Sequence, residues 1–201
     1  MAPSSELVIP HDPHAGPVTS VKNLVLQFSI AQLQAHGHYE AYTKVIDAAV
    51  LSDLLARLGP GWVPVKYAIR HFEAVDRLQL SQEQIDQLGK TVGDRIQHTT
   101  LVSAAKRSRE EGFDVWSSVG QLHRMWSRLY QGGSVQISKI GPTDQLISRR
   151  GYPMNRFRYY RLAQLGAFAA AYAALGTELT TREVLEVDTA LDEVTFHVGW
   201  G

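Results

Sequence analysis

The chain has 201 residues, 44% apolar and 20% charged, with 20 basic and 20 acidic side chains that cancel. That composition suits a globular domain with a full core and gives no global field to hold nucleic acid or an anionic membrane. The absence of cysteine excludes disulfides, thiol nucleophiles, thiolate-held zinc and iron–sulfur clusters, and it fits a cytoplasmic setting. No apolar run approaches the roughly 18 residues a membrane helix needs, and the first residues, MAPSSELVIPHDPHAGP, lack the basic leader and apolar core of a secretory signal.

Residues 1–20 carry Pro3, Pro10, Pro13 and Pro17 and read as a flexible arm ahead of a single domain over 21–201. His11 and His14 in this arm read as loop histidines, because a metal centre needs more ligands in a fixed geometry. Over Asn23–Ser29, Leu24, Leu26 and Phe28 alternate with Val25 and Gln27. This predicts a strand, although Ile30 and Leu33 would also continue a helix. After Gly37, flanked by His36 and His38, a helix is expected from His38 to Leu58 on Tyr42, Ile46, Ala49 and Leu54, with Gly59–Pro60 as its stop.

Pro64 then opens an amphipathic helix on Val65, Ala68, Ile69, Phe72, Val75 and Leu78, with His71 expected at the border of its buried face. Ser81 and Gln84 form a capping-box pattern for a helix on Ile85, Leu88, Val92 and Ile96. A charged connector, KRSREEG, follows. Asp114 is placed to cap a further helix on Val115, Val119, Leu122, Met125, Trp126 and Leu129, which Gly132–Gly133 ends.

From 134 the period changes. Val194, Phe196, Val198 and Trp200 alternate with Thr195, His197 and Gly199, as in a strand with one buried face. A helix with Leu162, Leu165, Phe168 and Tyr172 on one side precedes it, and two strands precede that. The fold class expected is α+β, a helical half over 38–131 packed on an antiparallel β-β-α-β-β unit over 134–201. Ala163, Gly166, Ala167, Ala170, Ala171, Ala173 and Ala174 give the helix a smooth side, and with zero net charge this predicts a homodimer that Ala170→Glu or Ala174→Glu would weaken.

No nucleophile elbow of the form G-x-S-x-G occurs, and the glycines at 132–133 lead into a strand rather than a helix, so no catalytic residue is assigned and an enzyme is not expected. No metal site is assigned. His98 and His123 are weak ligand candidates, and His197 faces away from the buried residues beside it. Arg149, Arg150, Arg156, Arg158 and Arg161 fall among Tyr152, Phe157, Tyr159 and Tyr160. They form either internal salt bridges or a site for an anionic ligand or acidic protein partner. Trp116, Met125, Trp126, Tyr130, Phe157, Tyr160 and Phe168 either line an apolar ligand pocket between helices and sheet or are packed core.

The pieces SVQISKIGP, RRGYP, the helix ending AAYAALG and the terminal TFHVGW resemble the ligand-binding module of vinyl-reductase-type domains. The same fold occurs in haem-based nitric oxide sensors and Golgi transport-particle subunits. SVKNLVLQFSIAQL, GWVPVKYAIRHFEAVDRL and QLHRMWSRLYQGGSVQI extend a resemblance to a myxobacterial paralogous group of unassigned function over most of residues 20–201. The resemblance implies a helical part ahead of a β-β-α-β-β unit with a pocket between them. It also marks departures. The haem sensors hold propionates with a Tyr-x-Ser-x-Arg motif that this chain lacks, and the cysteine chemistry of other members is impossible here. The expectation is a non-catalytic small-molecule-binding or regulatory interaction module without a cofactor, the alternatives being a haem-based gas sensor and a structural subunit.

Overall fold

The computed structural model describes residues 6–56, 61–96, 112 and 114–201, with side chains left out for 92–96 and 121–126. The expected stop at Gly59–Pro60, the charged connector up to Glu111 and His98 lie outside the described residues. The architecture is α+β with a helical N-terminal part and a strand-rich C-terminal part.

Strand β8 (Glu193–Trp200) buries Val194, Phe196, Val198 and Trp200, as its alternation predicts. It lies between β6 (Asp144–Arg150) and β7 (Leu179–Asp188), and β5 (Ser134–Lys139) pairs with β6. A fifth strand comes from the proline-rich stretch, which is not free along its length: β1 (Glu6–Ile9) pairs with β5, giving the antiparallel order β1-β5-β6-β8-β7. Directly opposite residues share a face. Gln145, Ile147 and Arg149 therefore lie on the buried face with Val198, Phe196 and Val194.

A second, small sheet has β2 (Ser20–Lys22) between β3 (Trp62–Pro64) and β4 (Tyr130–Gln131). The strand expected over Asn23–Ser29 is instead helix α1 (Asn23–Ala35). The helical period prevails because Leu26, Ile30 and Leu33 bury together, whereas Leu24 and Phe28 are only half-buried. The single helix expected over 38–58 is two, α2 (Tyr39–Val45) and α3 (Ala48–Ala56). Ile46 turns to extended geometry, and the Asp47 carboxylate accepts from the amides of Ala49 and Val50 at 2.8 and 3.2 Å. An N-cap satisfied by its own aspartate outweighs helix continuation.

Pro64 leads into α4 (Val65–Asp76), and the Ser81 box opens α5 (Gln82–Ile96). Ser81 N–H donates to Gln84 Oε1 at 2.8 Å and Gln84 N–H to Ser81 Oγ at 3.2 Å, the reciprocal pairing the sequence pattern predicts. Helix α6 (Val115–Ser127) is capped by Asp114, which accepts from Ser117 N–H at 3.0 Å.

Helix α7 (Arg158–Ala173) lies against the sheet, and α5 crosses it. A Cβ on Gly89 would strike the Ala163 carbonyl, and one on Gly166 the backbone of Asp86 and Lys90. The smooth side of α7 is thus taken by a helix of the same chain. Ala170 and Ala174 are buried, not solvated, so they cannot form the dimer face expected of them. Asp76, at the end of α4, accepts from the first amides of α7, Arg158 N–H at 3.3 Å and Tyr159 N–H at 2.7 Å, and thereby joins the two halves.

Candidate functional site

Arg149 sits on the buried face of β6, where a strand of alternating residues normally places a hydrocarbon. It is 2% exposed. Its guanidinium carbon lies 4.1 Å from the ring centroid of Tyr152, 5.2 Å from Tyr130 and 5.8 Å from Tyr160. The Tyr160 hydroxyl donates to that of Tyr130 at 3.0 Å. Nη1 donates to Gln164 Oε1 at 2.8 Å, but Nε and Nη2 find no acceptor, and no carboxylate pairs with the group among the described residues. Burial opposes its charge, yet the tyrosine oxygens outweigh burial and hold its pKa above the ordinary value. An unpaired buried charge costs several kcal/mol, and cation–π contact returns about 2 kcal/mol when desolvated. The tyrosine cage thus holds the charge in place, while the Nε and Nη2 donors are left without an acceptor of their own.

The other arginines of the cluster are spoken for. Arg156 pairs with Asp192 at 2.9 Å, and Arg150 lies 3.9 Å from Glu193. Arg158 donates to the Leu80 carbonyl at 3.0 Å and Arg161 to that of Asn155 at 2.6 Å.

The seven aromatic and methionine candidates are not gathered in one place. Tyr130 and Tyr160 meet at Arg149. Phe168 packs edge-on against Phe196 at 5.4 Å. Trp116 lies tilted against Trp200 with ring centroids 4.9 Å apart and donates Nε1–H to the Pro142 carbonyl, toward the opposite end of β8 from Arg149. Phe157 is half-buried at the start of α7. The side chains of Met125 and Trp126 lie outside the described residues. Tyr152, the ring closest to the guanidinium, was not among the pocket candidates. Its signal in the sequence was its place three residues after Arg149, but whether that turn folds it back onto the strand is a tertiary matter.

His71 is fully buried rather than at the border. Tyr42 Oη lies 2.8 Å from its Nδ1 and Ser29 Oγ 2.9 Å from its Nε2, and Ser29 Oγ reaches Tyr159 Oη at 3.3 Å. A neutral ring satisfies both contacts by donating from one nitrogen and accepting at the other, with the relay running either from Tyr42 through His71 and Ser29 to Tyr159 or in the reverse direction. Burial pulls the imidazole pKa down to about 3. Both ring nitrogens are occupied, so His71 is a neutral core bolt across α1, α2, α4 and α7. His197 faces away from the core as expected, held between Glu183 at 3.0 Å and Asp144 at 3.1 Å. Burial, the largest single influence, lowers its pKa, but the bonds and charges of Glu183 and Asp144 together raise it above the ordinary value.

Two clefts flank the chain from Pro10 to Pro17. One, about 390 Å³, is lined by Pro10, Asp12, Ser134, Tyr130 and Tyr152, and the other, about 400 Å³, by His11, Pro17, Ser134, Arg150 and Leu191 among others. A groove of about 610 Å³ between α5, α7 and β7 holds Lys90 and Arg182, but both cations turn onto Asp86, at 2.9 and 2.6 Å. No group of three metal-ligating side chains is found, and no helix is long and apolar enough to cross a membrane, among the described residues.

No family model matches the chain, and no curated protein does. The resemblance to a myxobacterial paralogous group is therefore unsupported by these comparisons. Solved structures do match. The Fe(II) unliganded H-NOX protein from K. algicida is 7% identical, with a TM-score of 0.61 over 90% of this chain and 96% of that one. A Cs H-NOX variant bearing 4-cyano-L-phenylalanine is 13% identical, with a TM-score of 0.52 over 89% and 96%. An H-NOX protein studied for the function of heme distortion is also 13% identical, with a TM-score of 0.51 over 89% and 94%. These likenesses are of fold, and the fold is H-NOX-like. They correct the expectation of no cofactor, because the proteins that share this architecture over nearly its whole length are described by their iron and haem.

The described side chains fit haem in part. The free edge of Arg149 suits an acidic substituent. His71, in contrast, has no nitrogen to offer an iron. His123 lies on α6, and its side chain is outside the described residues.

Proposed function

We propose that the chain is a non-catalytic, ligand-binding sensor domain, and that the haem-sensor reading is the better of its alternatives. The observation that carries this is Arg149: a buried, permanently charged guanidinium with two unmet donors at the junction of the halves. It is the chemistry that receives an acidic group of a bound molecule, in a fold whose solved neighbours include haem proteins. When bound, haem would supply an iron at which a small gas binds reversibly. Arg149, caged by Tyr130, Tyr152 and Tyr160, would hold an acidic edge, and Gln164 would fix the guanidinium in its plane. The proposal includes a cytoplasmic setting and self-association as a homodimer, with α7 excluded as the interface. A protein partner remains part of the sensor reading, as the recipient of the signal.

Adding hemin to the purified protein tests it. A saturable Soret band is expected, one that survives His71→Gln and weakens about tenfold or more in Arg149→Met, since losing a charge-assisted hydrogen bond costs about 1.5–3 kcal/mol. Methionine preserves the volume and removes the buried charge, so the variant should fold at least as well as the parent. No Soret band from a folded parent protein overturns the haem reading.

A further inference from the structure

We propose that residues Pro10 to Pro17 form a releasable strap over the tyrosines that shield Arg149, and that a small carboxylate passes beneath it to pair with Nε and Nη2. This rests on reading Arg149 as an anion receptor, but it does not require haem. Three observations carry it.

The first is the shape of what is free. Nε and Nη2 form one edge of the guanidinium, and both lack an acceptor, whereas Nη1 is held by Gln164 at 2.8 Å. Two parallel N–H bonds on one edge match the two oxygens of a carboxylate. A planar carboxylate matches that two-donor edge better than a tetrahedral phosphate.

The second is the route. Tyr130 and Tyr152 touch the guanidinium with their rings and also line the 390 Å³ cleft. The cation is thus one aromatic ring away from a space of ligand size. The cleft's other wall is the strap itself, at Pro10, Asp12 and Ala15.

The third is how the strap is fastened. At its far end it is bound by backbone, Gly133 N–H to the Gly16 carbonyl and Val18 N–H to that of Gly151, both at 2.8 Å. Gly132 and Gly133 have φ of +88° and +74°, and a Cβ on them would strike Pro17 and Tyr152 respectively, so these glycines let the strap and the ring close on the turn. In the middle, by contrast, one hydroxyl serves as the fastening. Ser134 Oγ accepts from Asp12 N–H at 2.8 Å and meets His11 Nδ1 at 2.6 Å. Three prolines within it, Pro10, Pro13 and Pro17, keep this segment from settling into helix or continuous strand. Release at Ser134 therefore frees the middle of the strap while both ends stay paired.

The experiment is a titration of haem-free, full-length protein with sodium acetate, following the Arg149 Nε–H resonance by NMR. A saturable shift is expected with acetate, none with chloride and a smaller one with inorganic phosphate. Ser134→Ala, which removes both strap contacts, should leave the shift in place and speed both acetate association and dissociation by about threefold or more, the worth of at least one net hydrogen bond. His11→Phe, which keeps the Asp12 bond, should speed them less. No acetate shift, or an equal shift with chloride, overturns the carboxylate site, and a larger one with phosphate overturns the choice of anion. Unchanged rates in both strap variants overturn the gate. None of these outcomes depends on the Soret band, so a failure of the haem reading is seen separately.

Discussion

Arg149 and His71 are both fully buried and polar, and they are opposites in satisfaction. His71 uses both nitrogens and is held neutral, in an unbroken series of hydrogen bonds from Tyr42 to Tyr159. Arg149 keeps its charge and wastes two donors. A satisfied network is what a core requires; an unsatisfied ion calls for something further, and that contrast places the candidate site at Arg149. The histidine has a testable signature. Its folded pKa, about 3, lies below the value near 6.5 of an unfolded histidine. Stability from this group is therefore complete above pH 6.5 and is lost as pH falls toward 3. The expected slope is about 1.4 kcal/mol per pH unit in that window. Urea denaturation at a series of pH values should show it as a steeper acid loss in the parent than in His71→Gln. Equal slopes would mean that the imidazole is not held neutral.

At the scale of elements, the crossing of α5 over α7 decides how the helical half meets the sheet. Alanines and glycines let the two backbones approach, and the ion pair of Asp86 with Arg182 at 2.6 Å ties α5 to β7 beside it. A methyl group on Gly166 meets main-chain atoms, which cannot move aside as a flexible side chain can. Gly166→Ala should therefore destabilise the fold by about 3 kcal/mol, at the upper end of overpacking costs, despite the better helix propensity of alanine. Thermal melting checks this: an unchanged or raised Tm would mean that the helices are further apart. The same crossing explains why the alanine side of α7 is no dimer face.

For the whole molecule, self-association needs another surface. The edge strand β7 leaves Leu185 and Val187 52% and 37% exposed, beside Leu191 at 42%, and an apolar edge strand invites a second chain. Light scattering at micromolar concentration should give a dimer mass, and Leu185→Glu should return a monomer. A monomer mass for the parent that persists on concentrating would overturn the dimer.

The local signals in the sequence gave reliable readings. Period-two alternation in β8, the box at Ser81 and Gln84, the aspartate cap at Asp114 and the β-β-α-β-β order all depend on neighbours within a few residues, and all appear in the structure. Short segments were less legible. Asn23–Ser29 alternates well enough for a strand, and only its partners, which bury Leu26, Ile30 and Leu33 together, select the helix. The candidate site was legible by residue type and not by grouping. Five arginines within thirteen residues look equivalent in sequence. Their differences come from chains far away: Asp192 neutralises Arg156, Leu80 receives Arg158, and β8 places Val194 opposite Arg149. Pairing and burial are properties of the assembled sheet and helices. The sequence by itself thus determined which side chains could carry charge and which segments could fold locally, while tertiary packing decided which single charge was left buried without a partner.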